Sequence, residues 1–253
     1  MKILYVNAIT SQRSGDLLTE GVLRGLLTSQ YAQNSQSIEL INFDMFYGKK
    51  YSPRLMGVFA RHHHADAIIL SGSDKNTTDS ADPFVQDYYF GLRDLLDFSG
   101  SHEEWAGPAV PILGICFGHQ ALACALGGET ARFQSKIDVL KIDSLAGAKE
   151  HSLFKPLLNA ANASLEVVVY HADHVVKMPE GFRPLFTSDY CAIQGMAHKQ
   201  WPIVSLQSHP EMSALLKKDV IEAKDWTHVS FESLENHAGK KILGRFVDWI
   251  AKK

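Results

Sequence analysis

The stretch Pro111-Ile112-Leu113-Gly114-Ile115-Cys116-Phe117-Gly118-His119-Gln120 decides the fold of this chain. An apolar run ends at a cysteine set between glycines. A helical pattern then begins at once through Ala121, Leu122, Ala123, Ala125 and Leu126. This is the sequence form of a nucleophile elbow, in which a buried strand turns sharply into a helix and lifts its central side chain. Gly114 and Gly118 carry no Cβ to clash in so tight a turn, so a strained backbone at Cys116 can persist. The new helix aims free N–H groups and partial positive charge at the sulfur, which favours thiolate. An arbitrary free cysteine is most often a buried packing residue. The flanking glycines and the strand-to-helix switch mark Cys116 as the candidate nucleophile instead.

A thiolate needs a base, and Ile203-Val204-Ser205-Leu206-Gln207-Ser208-His209-Pro210-Glu211 offers one at the end of another apolar run. His209 would exchange the proton with sulfur, and Glu211 would orient and charge-stabilise the imidazole. The expected triad is Cys116, His209 and Glu211.

Upstream, Met1 to Ala8 reads as a first buried strand. Ile9 to Asp16 reads as a polar loop, with Asp16 capping a helix whose apolar positions Leu17, Leu18, Val22, Leu23 and Leu26 recur at helical spacing. Ser37 to Phe43 reads as a second strand, Arg54 to His62 as a short helix and Ala67 to Ser73 as a third strand. Strand and helix in alternation imply right-handed crossovers and a parallel sheet covered on both faces. Ligands on such sheets bind at the carboxyl ends of strands, where Gly72 and Cys116 both fall. Pro83 to Phe98 reads as a helix begun by proline. Trp105, in the loop before Pro108, reads as surface packing, with a place at a substrate mouth as the alternative.

Attack of a thiolate on a carbonyl puts negative charge on oxygen, and backbone N–H donors aimed there contribute roughly 10²–10³-fold each. The N–H of Phe117, just after the nucleophile, is the first candidate for this oxyanion hole. Gly72 is a candidate for the second, with a merely structural tight turn as the alternative.

Composition narrows the classes. The chain has 253 residues, a net charge of -3 and 45% hydrophobic residues, which suits a globular protein and gives no reason to expect nucleic acid or a membrane surface. Three cysteines are too few for a disulfide scaffold and point to a reducing compartment. Cys124 and Cys191 read as packing residues. The first residues read as a strand rather than as a charged start and a long apolar region, so a soluble, cytoplasmic protein is expected. His62-His63-His64 reads as a solvated helix end, because successive residues point apart and no partner has ligand spacing. No metal and no cofactor is expected.

After Gly127-Gly128 come strand-like runs at Glu129 to Gln134 and Lys136 to Asp143. Leu165 to Tyr170 is a β-branched strand leading into His171-Ala172-Asp173-His174-Val175, and Phe182 to His198 reads as a hairpin placing Ala192 and Gln194 beside the site. His171 and His174 are rival bases for Cys116. Ser213 to Lys224 and Leu234 to Ala251 read as closing helices, with Lys217, Lys218, Lys240, Lys241, Lys252 and Lys253 on a solvated face.

The order Gly114-Ile115-Cys116-Phe117-Gly118-His119-Gln120, then His209-Pro210-Glu211, resembles the class I glutamine amidotransferases, and the similarity extends from the first strand to about Glu211. The resemblance implies a three-layer, flavodoxin-like, mainly parallel α/β sheet with additional antiparallel strands. It implies one domain over 1–253, with 212–253 as a C-terminal helical element. It assigns Gly72 to the oxyanion hole, although Gly72-Ser73 stands where the family usually shows Gly-Gly. It assigns Gln120 to contact the substrate backbone, and a turn at Tyr170, His171, Ala172 and Asp173 to hold the amino-acid end of glutamine with backbone groups. Tyr170 and Ala172 depart from the pattern of that turn, and Tyr170 puts bulk where a small polar residue is usual.

The activity implied is hydrolysis of the γ-glutamyl amide of glutamine or of a γ-glutamyl conjugate through a γ-glutamyl thioester. The chain has no Gly-x-x-x-x-Gly-Lys-Ser/Thr loop and no room for a second catalytic domain. It is therefore either a glutaminase subunit serving a separate synthetase or a stand-alone hydrolase resembling the γ-glutamyl peptidase and GMP synthase glutaminase-like group, and the Tyr170 departure tilts the reading towards the stand-alone hydrolase. The alternatives are a glutaminase subunit delivering ammonia to a separate synthetase, and a non-catalytic binding module of the same fold.

Overall fold

A computed structural model describes residues 1–48, 50–97, 110–158, 163–212 and 228–252. Among these residues the strands are β1 (Lys2–Asn7), β2 (Glu39–Asp44), β3 (Ala67–Leu70), β4 (Ile112–Ile115), β5 (Glu129–Ser144), β6 (Ser164–Lys177), β7 (Phe182–Thr187), β8 (Gly195–His198) and β9 (Ile203–Leu206). They form one sheet in the order β2-β1-β3-β4-β9-β8-β7-β5-β6. Neighbours from β2 to β9 pair parallel, and those from β9 onward pair antiparallel. The α/β class, the mainly parallel half and the extra antiparallel strands thus match the reading of the sequence.

The helices are α1 (Gln12–Leu26), α2 (Gln30–Gln33), α3 (Met56–His63), α4 (Pro83–Leu96), α5 (Phe117–Ala125), α6 (Ala146–Glu150), α7 (Phe231–Asn236) and α8 (Gly239–Ile250). Side chains that alternate along β1, β3, β4 and β9 divide between the two faces of the sheet. Ile3, Tyr5, Ile69, Leu113, Ile115 and Val204 pack with Val22 and Leu26 of α1 and Ile242, Phe246 and Val247 of α8. Leu4, Val6, Ile68, Leu70, Ile112 and Ile203 pack with Met56 and Ala60 of α3, Tyr88 and Leu92 of α4, and Ala121 and Leu122 of α5. Burying both faces explains why these strands read as continuous apolar runs.

β4 shows how the site is placed. Leu113 and Ile115 face the α1/α8 layer, while Ile112 and Gly114 face α5. A Cβ on Gly114 would lie 2.6 Å from Leu122 Cδ1 and 2.9 Å from Gly118 O, and a Cβ on Gly118 would lie 2.6 Å from Leu70 O. Both glycines are therefore there for space, so that the start of α5 can sit directly on β3 and β4. The helix closes at Leu126, with Gly127 at φ 91 and Gly128 N–H donating to Ala123 O at 2.8 Å.

Several elements differ from the sequence reading. α1 starts at Gln12, not after Asp16, because Ser11 Oγ accepts the Ser14 N–H at 3.4 Å and caps the helix earlier. Gly15 does not break this helix, since its bare Cα is where Tyr47 approaches. β6 runs on through His171, Ala172 and Asp173 to Lys177, so no turn interrupts it there; the irregularity is in β5, whose register shifts between Arg132 and Lys136. The closing helix is two helices, broken at His237 (φ -63, ψ 164). The ring of His237 pairs with Met212 O at 2.6 Å and accepts the Gly239 N–H at 3.0 Å, which starts α8. The expected helix over 213–224, with Lys217 and Lys218, lies outside the described residues, as do Trp105 and Lys253.

The seat of α5 on β3 is open to test. Gly118→Ala is expected to destabilise the fold by about 1–3 kcal/mol through overpacking against Leu70, read as a lower denaturation midpoint. Unchanged stability would contradict this account of the elbow.

Candidate active site

The carboxyl ends of β3, β4 and β9 lie side by side, and each delivers one part of the site. β4 ends at Cys116, whose backbone takes φ 49 and ψ -103. Such a positive φ is unfavourable for a side chain with a Cβ and persists only where the surroundings over-determine it. Here the Cys116 N–H donates to Leu206 O at 2.8 Å, and α5 follows without a residue between. The side chain is nearly enclosed. Its Sγ lies 3.7 Å from Tyr170 O and 3.8 Å from Gln207 Nε2. At the start of α5, the Phe117 N–H has no acceptor inside the helix, as for any first residue, while the Gly118 N–H donates to Ser71 O at 3.1 Å.

β9 leads into Gln207-Ser208-His209, and the His209 N–H is pinned to Val168 O of β6 at 2.8 Å. The ring is buried, with Nδ1 2.8 Å from Glu211 Oε1 and Nε2 3.3 Å from Tyr170 O. Burial pushes its pKa down, yet the charges of Cys116 and Glu211, with hydrogen bonds to both, outweigh that and hold it well above 6.5. Gly72, at the end of β3, backs this pair. A Cβ there would lie 2.8 Å from His209 Cε1 and 3.6 Å from Cys116 Cβ, so the strand end can approach only as glycine. The structure therefore brings Cys116, His209, Glu211, Gly72 and Phe117 together.

The residues expected to hold substrate lie around this pair on α5 and β6. Tyr170 presents its backbone carbonyl to Cys116 and His209. His171 is buried beside His174, and its pKa is pushed down to about 3 by burial, His174 and His209. His174 stacks on Phe133 and is also lowered by burial. These shifts make both poor rivals to His209 as base. Ala172 lies between them on the strand. The Asp173 carboxylate is already engaged, accepting from Thr78 N–H at 2.9 Å, Thr77 Oγ1 at 3.2 Å and Arg132 Nε at 3.0 Å. Gln120 donates to Asp173 O at 2.6 Å and to Gln207 Oε1 at 3.3 Å. Gln194 lies behind these amides, with its backbone carbonyl accepting the Gln207 N–H at 3.0 Å. Cys191 is buried and its thiol is pushed up to about 11 by burial, unlike a reactive cysteine.

Sequence reasoning passed over Gln207, Thr77, Thr78 and Arg132. The one signal for Gln207 is a polar residue closing an otherwise apolar strand, just before His209. The other three act from a loop and an opposing strand, and nothing in their spacing connects them to Asp173.

A family model described as glutamine amidotransferase class I matches residues 58–226. A glutamine-hydrolyzing GMP synthase subunit from Methanocaldococcus jannaschii is 41% identical over 104 residues, which is 41% of this chain and 52% of that protein. The glutamine-hydrolyzing GMP synthase of Actinobacillus succinogenes is 32% identical over 181 residues, 66% of this chain and 31% of that protein. The chain thus spans about half the length, or less, of these curated relatives. A glutamine amidotransferase from Thermotoga maritima, solved by crystallography, shares the fold with a TM-score of 0.68 at 17% identity, over 100% of this chain and 99% of that one.

The raised pKa of His209 has a sign that can be checked. The stability it contributes is complete below its unfolded-state value and is lost as pH rises through the higher folded value. Glu211→Gln removes one cause of the shift, so it is predicted to lower the imidazole pKa followed by NMR. It should also cost more stability at acid pH than at alkaline pH. An unmoved imidazole titration would show that Glu211 does not hold the charge.

Proposed function

The chain belongs to the class I glutamine amidotransferase family, and from that premise we propose that it hydrolyses a γ-glutamyl amide with Cys116 as nucleophile. The observation that carries this reading is the buried His209, held by Glu211 at 2.8 Å and packed with Cys116 against Gly72. The thiolate adds to the γ-carbonyl carbon, and the oxygen takes the negative charge. The N–H groups of Phe117 and Gly72 are the donors for that oxyanion. Collapse breaks the C–N bond as the His209 imidazolium gives its proton to the departing ammonia or amine, which leaves a γ-glutamyl thioester on Cys116. His209, now neutral, takes a proton from water, whose oxygen attacks the thioester, and glutamate leaves with the thiolate restored. Glu211 stabilises the imidazolium in both half-reactions and keeps Nε2 turned towards the reacting groups. No metal or cofactor takes part in these steps.

Free glutamine and γ-glutamyl conjugates differ only in the leaving amine. The side chain of Tyr170, standing where the family usually has a small polar residue, favours a stand-alone hydrolase acting on a γ-glutamyl conjugate. A second reading is favoured by those relatives whose names carry the words glutamine-hydrolyzing and subunit. On that reading the ammonia is delivered to a separate synthetase.

Purified protein is expected to release glutamate, with ammonia or an amine, from at least one member of a panel of glutamine and γ-glutamyl amides. Cys116→Ala should lower the rate below detection while leaving the melting temperature close to the parent value. Turnover retained by Cys116→Ala would overturn the assignment. A conjugate cleaved while glutamine is left untouched would select the stand-alone reading. Glutamine hydrolysis stimulated by an added synthetase would select the second.

A further inference from the structure

We infer that Gln207 is the side-chain donor that holds the Cys116 sulfur as a thiolate, and that the direction of its amide is imposed from Asp173 through Gln120. This rests on the reading of Cys116 as nucleophile and adds to it a residue that reaches the reacting atom. A glutamine amide has a donor end and an acceptor end of nearly equal shape, so its direction must be fixed by its partners. A backbone carbonyl can only accept. Asp173 O lies 2.6 Å from Gln120 Nε2, which makes that atom the NH₂ end of Gln120. The Thr77 hydroxyl, 3.5 Å from Gln120 Oε1, faces the acceptor end. The same NH₂ group lies 3.3 Å from Gln207 Oε1, so the facing end of Gln207 must be its acceptor. That leaves the Gln207 NH₂ directed at Cys116 Sγ, at 3.8 Å.

Reversing Gln207 would set two NH₂ groups against each other and an oxygen against the sulfur. The residue is fully buried, so water cannot relieve either mismatch. The chain of partners is anchored at its far end. Thr77, Thr78 and Arg132 fix the Asp173 carboxylate, and the Gln207 backbone is fixed by its N–H bond to Gln194 O. A hydrogen bond to an ionised acceptor is stronger than one to a neutral acceptor, so this donor favours thiolate over thiol. The other groups facing the site are His209 with Glu211 behind it, the Tyr170 carbonyl and His171 from β6, and Tyr190 from the turn between β7 and β8. None of them is altered by a change at Gln207.

The test is the rate of iodoacetamide alkylation at Cys116 against pH, followed by peptide mapping, in the parent protein, Gln207→Leu and Gln207→Glu. Only the thiolate reacts, so the midpoint of the profile reports the sulfur. The midpoint is expected to rise by about one unit in Gln207→Leu, about tenfold slower alkylation at pH values below both midpoints. It is expected to rise further in Gln207→Glu, which places a carboxylate beside the sulfur. A residue with only a structural role would not move this midpoint. Should Gln207→Leu fail to fold, Gln207→Met, which keeps the length of the side chain and lacks the donor, is measured in its place and decides the question. Parent midpoints in the folded variants would overturn the inference. Alkylation needs no γ-glutamyl substrate, so a parent protein that cleaved none would sink the proposed function without touching this result. Unmoved midpoints in an active enzyme would sink this inference alone.

Discussion

The structure depends on one backbone turn. Cys116 occupies φ 49 and ψ -103, a conformation a residue with a Cβ avoids, and α5 leaves it at once. The turn is held because α5 is seated on β3 and β4 at positions where any Cβ would collide, Gly114 with Leu122 and Gly118 with Leu70. It is also held by the Cys116 N–H bond to Leu206 O. Hydrophobic burial on both faces of the parallel strands supplies the stability that the strained residue draws on. The sulfur is thereby set, still buried, at the carboxyl edge of the sheet.

The second half of the chain brings an imidazole to that sulfur. β9 pairs with β4, so the segment that carries His209 leaves the sheet beside Cys116. The antiparallel strands then lead back until β6 meets the segment after β9, where Val168 O takes the His209 N–H and Tyr170 O faces both Sγ and Nε2. Glu211 completes the pair from behind, and His237 ties the next residue, Met212, to the start of α8. The charged groups are buried but not isolated, and the charges of Cys116 and Glu211 hold the pKa of His209 above its ordinary value despite its burial.

The parallel half, the elbow and the His209-Pro210-Glu211 segment were legible because each leaves a local mark: apolar runs, paired glycines, and a switch from strand to helical spacing. Helix starts and stops were less so. Ser11 caps α1 ahead of Asp16, and His237 splits the last helix through contacts to Met212 and Gly239 that no spacing announces. The role of Asp173 was hidden for a different reason. Thr77, Thr78 and Arg132 approach it from a loop and from β5, far apart in sequence, and their combined hydrogen bonds fix its carboxylate. Gln207 escaped notice because its meaning lies in the direction of its amide, which is set by neighbours and not by its own type.

The claim at the centre of this account is that the sulfur at the elbow becomes covalently acylated. Rapid quenching of the protein during turnover of a cleaved γ-glutamyl amide, followed by intact-mass measurement and peptide mapping, tests it directly. The account predicts a mass increase of one glutamyl group, located on Cys116 and released by hydroxylamine. It also predicts that the adduct accumulates when His209 is replaced by asparagine and an activated γ-glutamyl thioester is supplied. Glutamate release at full rate with Cys116 unmodified throughout, or an adduct on another residue, would contradict it.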